Sequence, residues 1–509
     1  MIPQPPFAGD LTLEQELEAF RALKPRLAEV WSALTAADDS HCTSVVVPSL
    51  TLDQGEISKL AGAAYYEERL LFLLIRLRNP RAHVVYVTSQ PVHPMILDYY
   101  LNLLAGVPAA HARARLTMLC CHDGSPRPLT EKIIERPRLV QRIREAIPNL
   151  RRAYLTVFNS TRLERKLTVL LGIPLNGLDP DLQYYGTKSG SRRVFHAAGV
   201  PCPEGFEDLH TNQDVLEALV ELRRKKPGLC RAMVKLNESF SGEGNAVFTY
   251  PVDPRRDLAP ALEDVALPPE ASTRATFFDE FRRMGGVVEE YVDAAEKHSP
   301  SVQLRTSPRG EVLPISTHDQ ILGGAHGQTY LGCRFPARDD YRLAIAQLGE
   351  RIGTVLAEKG VVSRFGVDFL ATREQPGDPW TLQALEINLR LLGTTHPFLA
   401  LRFLTGGSLD SSTGQFMSLG GRPKYYRATD NLRSERYRSL VPEDVIDIVT
   451  DHRLHYNHRT ESGVLFHLIG AVSEFGKLGV TAIANTPAEA DALYERTLEV
   501  LDEETAYGR

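Results

Sequence analysis

The chain has 509 residues, with 58 Lys or Arg against 64 Asp or Glu (net charge −6), 43% hydrophobic residues, 8% aromatics and 6 cysteines. A chain of this size corresponds to about three domains that hold their cores without disulfides or structural metal, which excludes small disulfide scaffolds and disorder. The mild acidity gives no electrostatic reason to expect a nucleic-acid partner.

The first 20 residues carry no Lys or Arg, and Pro3, Pro5 and Pro6 stand where a signal peptide needs a basic start and an apolar stretch. A cytoplasmic protein is expected. From residue 44 onward, short β-branched runs alternate with amphipathic blocks: a strand over 44–50, a helical block to Arg78, then a strand over 83–89 and another block. The longest unbroken apolar run, 70–75, is closed by Arg69 and Arg76 and falls far short of the roughly 20 residues of a membrane helix, so no membrane partner is expected. A strand over 116–121, a helix over 130–147, a strand over 154–159 and a helix over 162–171 continue the series. This is a βαβ order, predicting a doubly wound α/β domain over 1–180 with a parallel sheet.

The stretch 172–186 is rich in Gly, Pro and Asp, which supply turn geometry, and marks a domain boundary. After it come a helix over 188–198, a helix over 212–226, a strand over 231–236, a glycine-containing loop and a further strand. Residues 251–275 read as an excursion before a helix around 278–284. Strands over 287–292, 302–306 and 312–317 suggest an antiparallel meander. A helix over 341–359 precedes strands over 365–371 and 380–388, which read as a hairpin. From about residue 406 an α+β tail ends in a helix over 487–503, and no internal repeat is evident. The six cysteines, at 42, 120, 121, 202, 230 and 333, include no C-x-x-C pair, so they read as reduced, buried small hydrophobes.

Chemistry concentrates at the end of that hairpin, in G-V-D-F-L (366–370) and L-E-I-N-L-R (385–390). Glu386, Asn388 and Arg390 lie at i, i+2 and i+4 and project from one face, with Asp368 on the neighbouring strand. Two carboxylates and an amide oxygen form a hard donor set suited to one or two Mg²⁺ ions completed by substrate phosphates, with Mn²⁺ able to substitute. The same alternation also describes the solvent face of a half-buried hairpin.

Three further motifs stand upstream. In A-M-V-K-L-N-E-S-F-S-G-E-G-N-A-V (232–247), Lys235 ends a strand, and Ser239, Ser241, Gly242 and Gly244 allow close backbone approach to a phosphate. No P-loop is present, and the G-x-G precedes a strand where a dinucleotide fingerprint precedes a helix, so a plain Gly/Ser hairpin turn is the competing reading. V-V-E-E-Y-V (287–292), followed by Glu296, could offer backbone groups to an adenine edge and a carboxylate to ribose. Lys188 sits at a helix start in G-T-K-S-G-S-R-R, where a solvated surface charge is the ordinary reading.

In this order, the four pieces resemble the ATP-grasp superfamily. The resemblance implies ATP as nucleotide, with Lys188 and Lys235 at phosphate and the loop from Ser239 through Ser241 and Gly242 to Gly244 above it. It puts Glu289 or Glu290 with Val292 at adenine, Glu296 at ribose, and Asp368, Glu386 and Asn388 at metal. It further implies a core over 181–405, split into a nucleotide lobe (181–293) and a metal lobe (294–405), followed by a small C-terminal domain over 406–509. The E-x-N-x-R form is similar to that of carboxylate-activating branches, in which Arg390 would face an acyl phosphate.

Within that superfamily, E-I-N-L-R-L-L-G-T-T-H-P-F (386–398), G-V-L-F-H-L-I-G-A (463–471) and F-G-K-L-G-V-T-A (475–482) resemble the pheganomycin-type peptide ligases of actinobacteria. The implied activity is ATP-dependent joining of a carboxylate to the amine of an amino acid or peptide in natural-product biosynthesis, with Arg390 and Lys235 catalytic. A homodimer is compatible with the sequence. The alternatives are an ATP-grasp kinase acting on a hydroxyl and a regulatory ATP-binding protein. No base for the amine stands out, His318, His326 and His396 being candidates by position. His452, His455 and His458 are spaced to line one side of a helix as a zinc site. The basic aromatic run 422–427 could meet an acidic peptide, and the glycines of 320–336 would permit a lid.

Overall fold

The computed structural model describes residues 11–35, 41–51, 57, 62–239, 244–253, 258–267, 273–323 and 329–506. The first unit is a parallel sheet of β1 (Cys42–Val47), β2 (Ala82–Thr88), β3 (Leu116–Cys120) and β4 (Ala153–Val157) in the order β3-β2-β1-β4. Every residue of β1 is buried, as a strand covered on both faces requires. The period of two decides which core each side chain enters. Val45, Val47, Val85 and Val87 pack under the helices on one face, while Val46, Val84 and Tyr86 pack on the other against the 3₁₀ helix Ala63–Arg78.

The helical pattern read over 130–147 is two helices, Leu129–Ile134 and Pro137–Glu145. Pro137 has no N–H to donate and disfavours helical backbone at Arg136, so one helix stops and the next begins with proline in its first turn. The helix Arg162–Leu171 begins on a Thr161/Glu164 capping box and ends at Gly172, whose φ of 69° suits glycine.

A second sheet is antiparallel, with β5 (Gly205–Leu209), β6 (Arg231–Leu236), β7 (Asn245–Thr249) and β8 (Gly286–Glu290) in the order β5-β8-β6-β7. Its core joins Val234, Phe248 and Val288 to Val215, Leu219 and Phe281 of the helices Asn212–Lys225 and Arg274–Met284. The strand expected over 287–292 therefore belongs here and not to the meander downstream. The sequence placed it by proximity, whereas its hydrogen bonds run to β5 and β6.

The third sheet has nine strands. Its first six strands in chain order are β9 (Glu296–His298), β10 (Pro300–Thr306), β11 (Val312–Gly323), β12 (Thr329–Phe335), β13 (Ser363–Arg373) and β14 (Thr381–Asn388). A small hairpin of β15 (Ser408–Leu409) and β16 (Phe416–Met417) follows. Then β17 (Tyr425–Arg433), β18 (Gly463–His467) and β19 (Lys477–Ala484) extend the large sheet, whose order is β14-β13-β10-β11-β12-β17-β19-β18, with β9 on β13. The expected boundary at 405/406 is thus not a break in the sheet. β12 and β17 pair directly, and residues from 437 to 501 share one core with the 3₁₀ helix of the first unit. Among the described residues, no helix is long and apolar enough to cross a membrane.

Candidate functional site

The β13–β14 hairpin sets Asp368 opposite Glu386 and Gly366 opposite Asn388, so the three expected metal ligands share one face. Asp368 Oδ1 accepts from Gln320 Nε2 at 2.6 Å, and Oδ2 accepts from Asn388 Nδ2 at 3.0 Å. Burial, and then the facing Glu386 carboxylate, push the Asp368 acid up to about 7. Two carboxylates held together against that cost, with an amide alongside, fit a divalent cation of the oxygen-preferring class. Arg390 lies two residues past Asn388. Burial lowers its pKa, and Glu386 and Asp368 oppose that shift.

The helix Lys188–Ala198 is fastened beside this hairpin by Ser191 Oγ, which accepts from Ile387 N at 3.0 Å. Its start is packed so closely that a Cβ on Gly190 would sit 1.9 Å from the Tyr184 carbonyl oxygen. Asn237, just past β6, accepts from Lys188 N through its backbone (3.1 Å) and from Ser189 N through its side chain (2.9 Å). As a result Lys188 Nζ lies 3.7 Å from Glu386 Oε2 and 3.4 Å from Ser239 Oγ, linking the two lobes. Gly244 faces Ser239 across the mouth of the loop, where a Cβ would come within 2.3 Å of the serine Cβ. Ser241 and Gly242 lie outside the described residues.

In the second sheet, Lys235 Nζ contacts Glu289 Oε2 at 2.5 Å, and Arg192 Nη1 contacts Glu289 Oε1 at 3.2 Å. Burial would raise the Glu289 carboxyl, but Lys235 and Arg192 overcome it and hold the group below its ordinary range. Glu290 turns the other way, to Lys226 and to the Glu204 N–H at 2.8 Å. Val292 follows the end of β8, and its carbonyl accepts from Lys297 at 3.3 Å. Glu296, on β9, is held by Arg373 at 2.6 Å and lies 3.2 Å from His298.

Sequence reasoning missed Arg192, Gln320 and Ser191. Nothing along the chain separates Arg192, 1% exposed, from its neighbour Arg193, which pairs with Asp208 at the surface. Gln320 becomes legible only once the sheet order puts β11 near β13.

The two described histidine candidates, His318 and His396, are closed within the core. His318 is wholly buried, bonded to the Tyr426 hydroxyl at 2.7 Å, and burial pushes it down to about 3. His396 packs 3.8 Å from the ring of His467 and is driven well below its ordinary range, first by burial. His326 lies outside the described residues. The zinc reading over His452, His455 and His458 fails because the helix Pro442–Asp451 ends before them: His452 caps it and Arg453 turns the chain at φ 54°. The basic aromatic run is largely satisfied internally, with Lys424 buried on Glu461 and Asn485, and Arg427 on Glu495. The expected lid over 320–336 is the β11–β12 hairpin, its tip outside the described residues.

Two cavities stand out among the described residues, and the smaller one reaches Arg390. One, of about 770 Å³, opens where the chain leaves β1, β2 and β3, with Glu67, Glu68, Thr88 and Lys132 in its wall. That is the ligand side of a doubly wound sheet. Burial pushes Glu67 and Glu68 up to about 7. The other, of about 50 Å³, lies between β4 and the Arg390 end of the hairpin.

Comparison with known proteins agrees with this geometry. Residues 181–250 and 269–412 match a family described as IQCH-like, ATP-grasp, and residues 444–497 match one described as the PGM1 C-terminal domain. L-propargylglycine--L-glutamate ligase of Streptantibioticus cattleyicolor is 31% identical over 473 residues, covering 91% of this chain and 94% of that protein. IQ motif-containing protein H of Danio rerio is 25% identical over 450 residues, 79% of this chain but 42% of that one. Biotin carboxylase of Campylobacter jejuni, solved with an ATP analogue, shares the fold at a TM-score of 0.54 and 12% identity, covering 93% of this chain and 96% of its own.

Proposed function

The chain belongs to the ATP-grasp carboxylate–amine ligases, and from that premise we propose that it joins the carboxylate of one amino-acid-like substrate to the amine of another through an acyl phosphate. The observation that carries this reading is the meeting of Lys188, from the nucleotide side, with Glu386, beside Asp368, Asn388 and Arg390. The relative named for joining L-propargylglycine and L-glutamate supports amino acids as the substrate class on both sides.

A carboxylate oxygen attacks the γ-phosphorus of ATP, the bond to ADP breaks, and the amine then displaces inorganic phosphate from the acyl carbon with loss of a proton. Such transfers need positioning and charge neutralisation more than covalent help. Mg²⁺ held by Asp368, Glu386 and Asn388, with Mn²⁺ suiting the same donors, would offset phosphate charge when bound. Lys188 and Lys235 face the phosphate oxygens, and we assign Ser239, Ser241, Gly242 and Gly244 to contacts with the same phosphates. The backbone from Glu289 through Val292 takes the adenine edge and Glu296 the ribose, which requires Glu296 to exchange Arg373 for a hydroxyl. Arg390 steadies the acyl oxygens as the carbon becomes tetrahedral.

The test is ADP release with Mg-ATP, pooled amino acids and small peptides, and hydroxylamine in place of the amine. A hydroxamate identifies the activated acid and is the expected result. ADP with a stable phosphorylated product and no hydroxamate would overturn the ligase reading.

A further inference from the structure

The smaller cavity has a wall of which the proposed chemistry uses only Arg390. Arg305 on β10 is paired in register with Arg364 on β13, and Arg390 continues the line of β14 beside them. Arg76, at the end of the 3₁₀ helix Ala63–Arg78, enters from the first unit. Four arginines thus line about 50 Å³ of space, room for one small oxyanion, with Arg76, Arg305 and Arg364 repelling one another there and Arg390 shared with Glu386 and Asp368. Asn159, Ser160 and Asn176 also line it, and none of its described lining residues is acidic.

Buried charges are normally paired, yet Arg305 is buried and Arg76 and Arg364 are half-buried with no carboxylate beside them among the described residues. Among the described residues none of the four arginines makes an ion pair. Arg305, 6% exposed, donates to Asn176 Oδ1 at 2.7 Å and stacks 4.0 Å from the Trp31 ring, but its Nε–H has no partner. Arg364 Nη1 is likewise buried without an acceptor. Arg76 rests on the Tyr154 hydroxyl and Ser44. Burial, then the neighbouring arginines, drive Arg364 well below its ordinary range, and burial followed by Arg76 takes Arg305 down to about 10. An oxyanion would remove these strains together, since a carboxylate or phosphate accepts from several guanidinium N–H groups at once.

The position says what the anion belongs to. Arg364 lies four residues along β13 from Asp368 on the same face, roughly 13 Å at the usual strand rise, and Arg390 belongs to both the cavity and the reacting end. We propose that this cavity binds a second anionic group of the acid substrate, carboxylate or phosphate, apart from the carboxylate that is activated. The proposal rests on the ligase reading above for the substrate's identity, and on the arginine geometry for the site itself.

The test titrates the full-length protein, its nucleotide site filled with Mg²⁺ and a non-hydrolysable ATP analogue, with malonate and with inorganic phosphate, by calorimetry. One equivalent of at least one anion is expected to bind, malonate preferred if the acid carries a second carboxylate and phosphate preferred if it is phosphorylated. Arg364→Met should weaken that binding at least tenfold while raising the unfolding midpoint in anion-free buffer, a rise that a merely structural arginine would not give. Arg364→Lys, which keeps the charge, should retain binding within a few-fold. Wild-type protein that binds neither anion, or Arg364→Met that binds as tightly as wild type, would overturn the proposal. Anion binding without hydroxamate formation would overturn the ligase reading alone. Hydroxamate formation with an unchanged KM for the acid in Arg364→Met would overturn the anion site alone.

Discussion

Two buried charged clusters flank the reacting centre, and they are built on opposite plans. Beside the second sheet, Glu289 is closed between Lys235 and Arg192, and Arg192 reaches on to Glu207 at 3.2 Å and to the Pro203 carbonyl at 2.8 Å. In the smaller cavity, Arg76, Arg305, Arg364 and Arg390 share one wall, and none of the described lining residues is an acid. The first cluster is complete within the chain, so its loss is a loss of stability. The second is complete only with something added, so the free protein carries its cost.

The contrast can be broken first where the effect is largest. Arg192→Met leaves Glu289 and Glu207 short of a cation in the interior, and should destabilise the fold by about 3–5 kcal/mol, measured by equilibrium urea unfolding. A loss below about 1 kcal/mol, the range of surface pairs, would mean the cluster is not closed as described.

Glu386→Ala should reduce ADP release on the order of 100-fold or more, with the unfolding midpoint held or raised because Asp368 loses a like charge. Near-wild-type turnover by the folded variant would remove the metal assignment.

Arg364→Met should be opposite in sign to Arg192→Met, stabilising the anion-free protein by about 1 kcal/mol. Equal signs for the two substitutions would erase the contrast.

The most gradual effect is a pH slope. An unfolded histidine takes its proton near 6.5, whereas His318 in the fold resists until about 3. Between those values the unfolded chain binds more protons, so His318 makes stability fall as pH falls, by at most about 1.4 kcal/mol per unit. His318→Gln, which can keep a hydrogen bond to Tyr426, should flatten the stability–pH profile between pH 6.5 and 3. An unchanged slope would show that the buried imidazole is not kept neutral.

How much of this was legible in the chain depends on the range of the signal. Glu386 and Asn388 reveal a shared face through their spacing alone, and the turn composition around 172–186 marks where the parallel unit ends. The break at Pro137 was also local, and a continuous apolar pattern on either side masked it. By contrast, Arg76, Arg305, Arg364 and Arg390 are far apart in sequence, and each alone reads as a solvated charge. Only the register of β10 on β13 and the docking of the 3₁₀ helix make them one group. The pairing of β12 with β17 is hidden for the same reason: nearly a hundred residues separate two strands whose partner is set by the fold.

That pairing also bears on how the protein is made. β12 ends at Phe335, and its neighbour β17 ends at Arg433, where Tyr426 stacks on Phe335 at 4.8 Å. During synthesis the strands β9 to β14 therefore emerge with a row of free backbone donors and acceptors along β12. At common translation rates it waits for β17 for roughly 5–20 s. Over that interval the edge is open to any passing strand. A chain ending near residue 405 would keep it open permanently, so such a truncation should clump in the cell rather than work slowly.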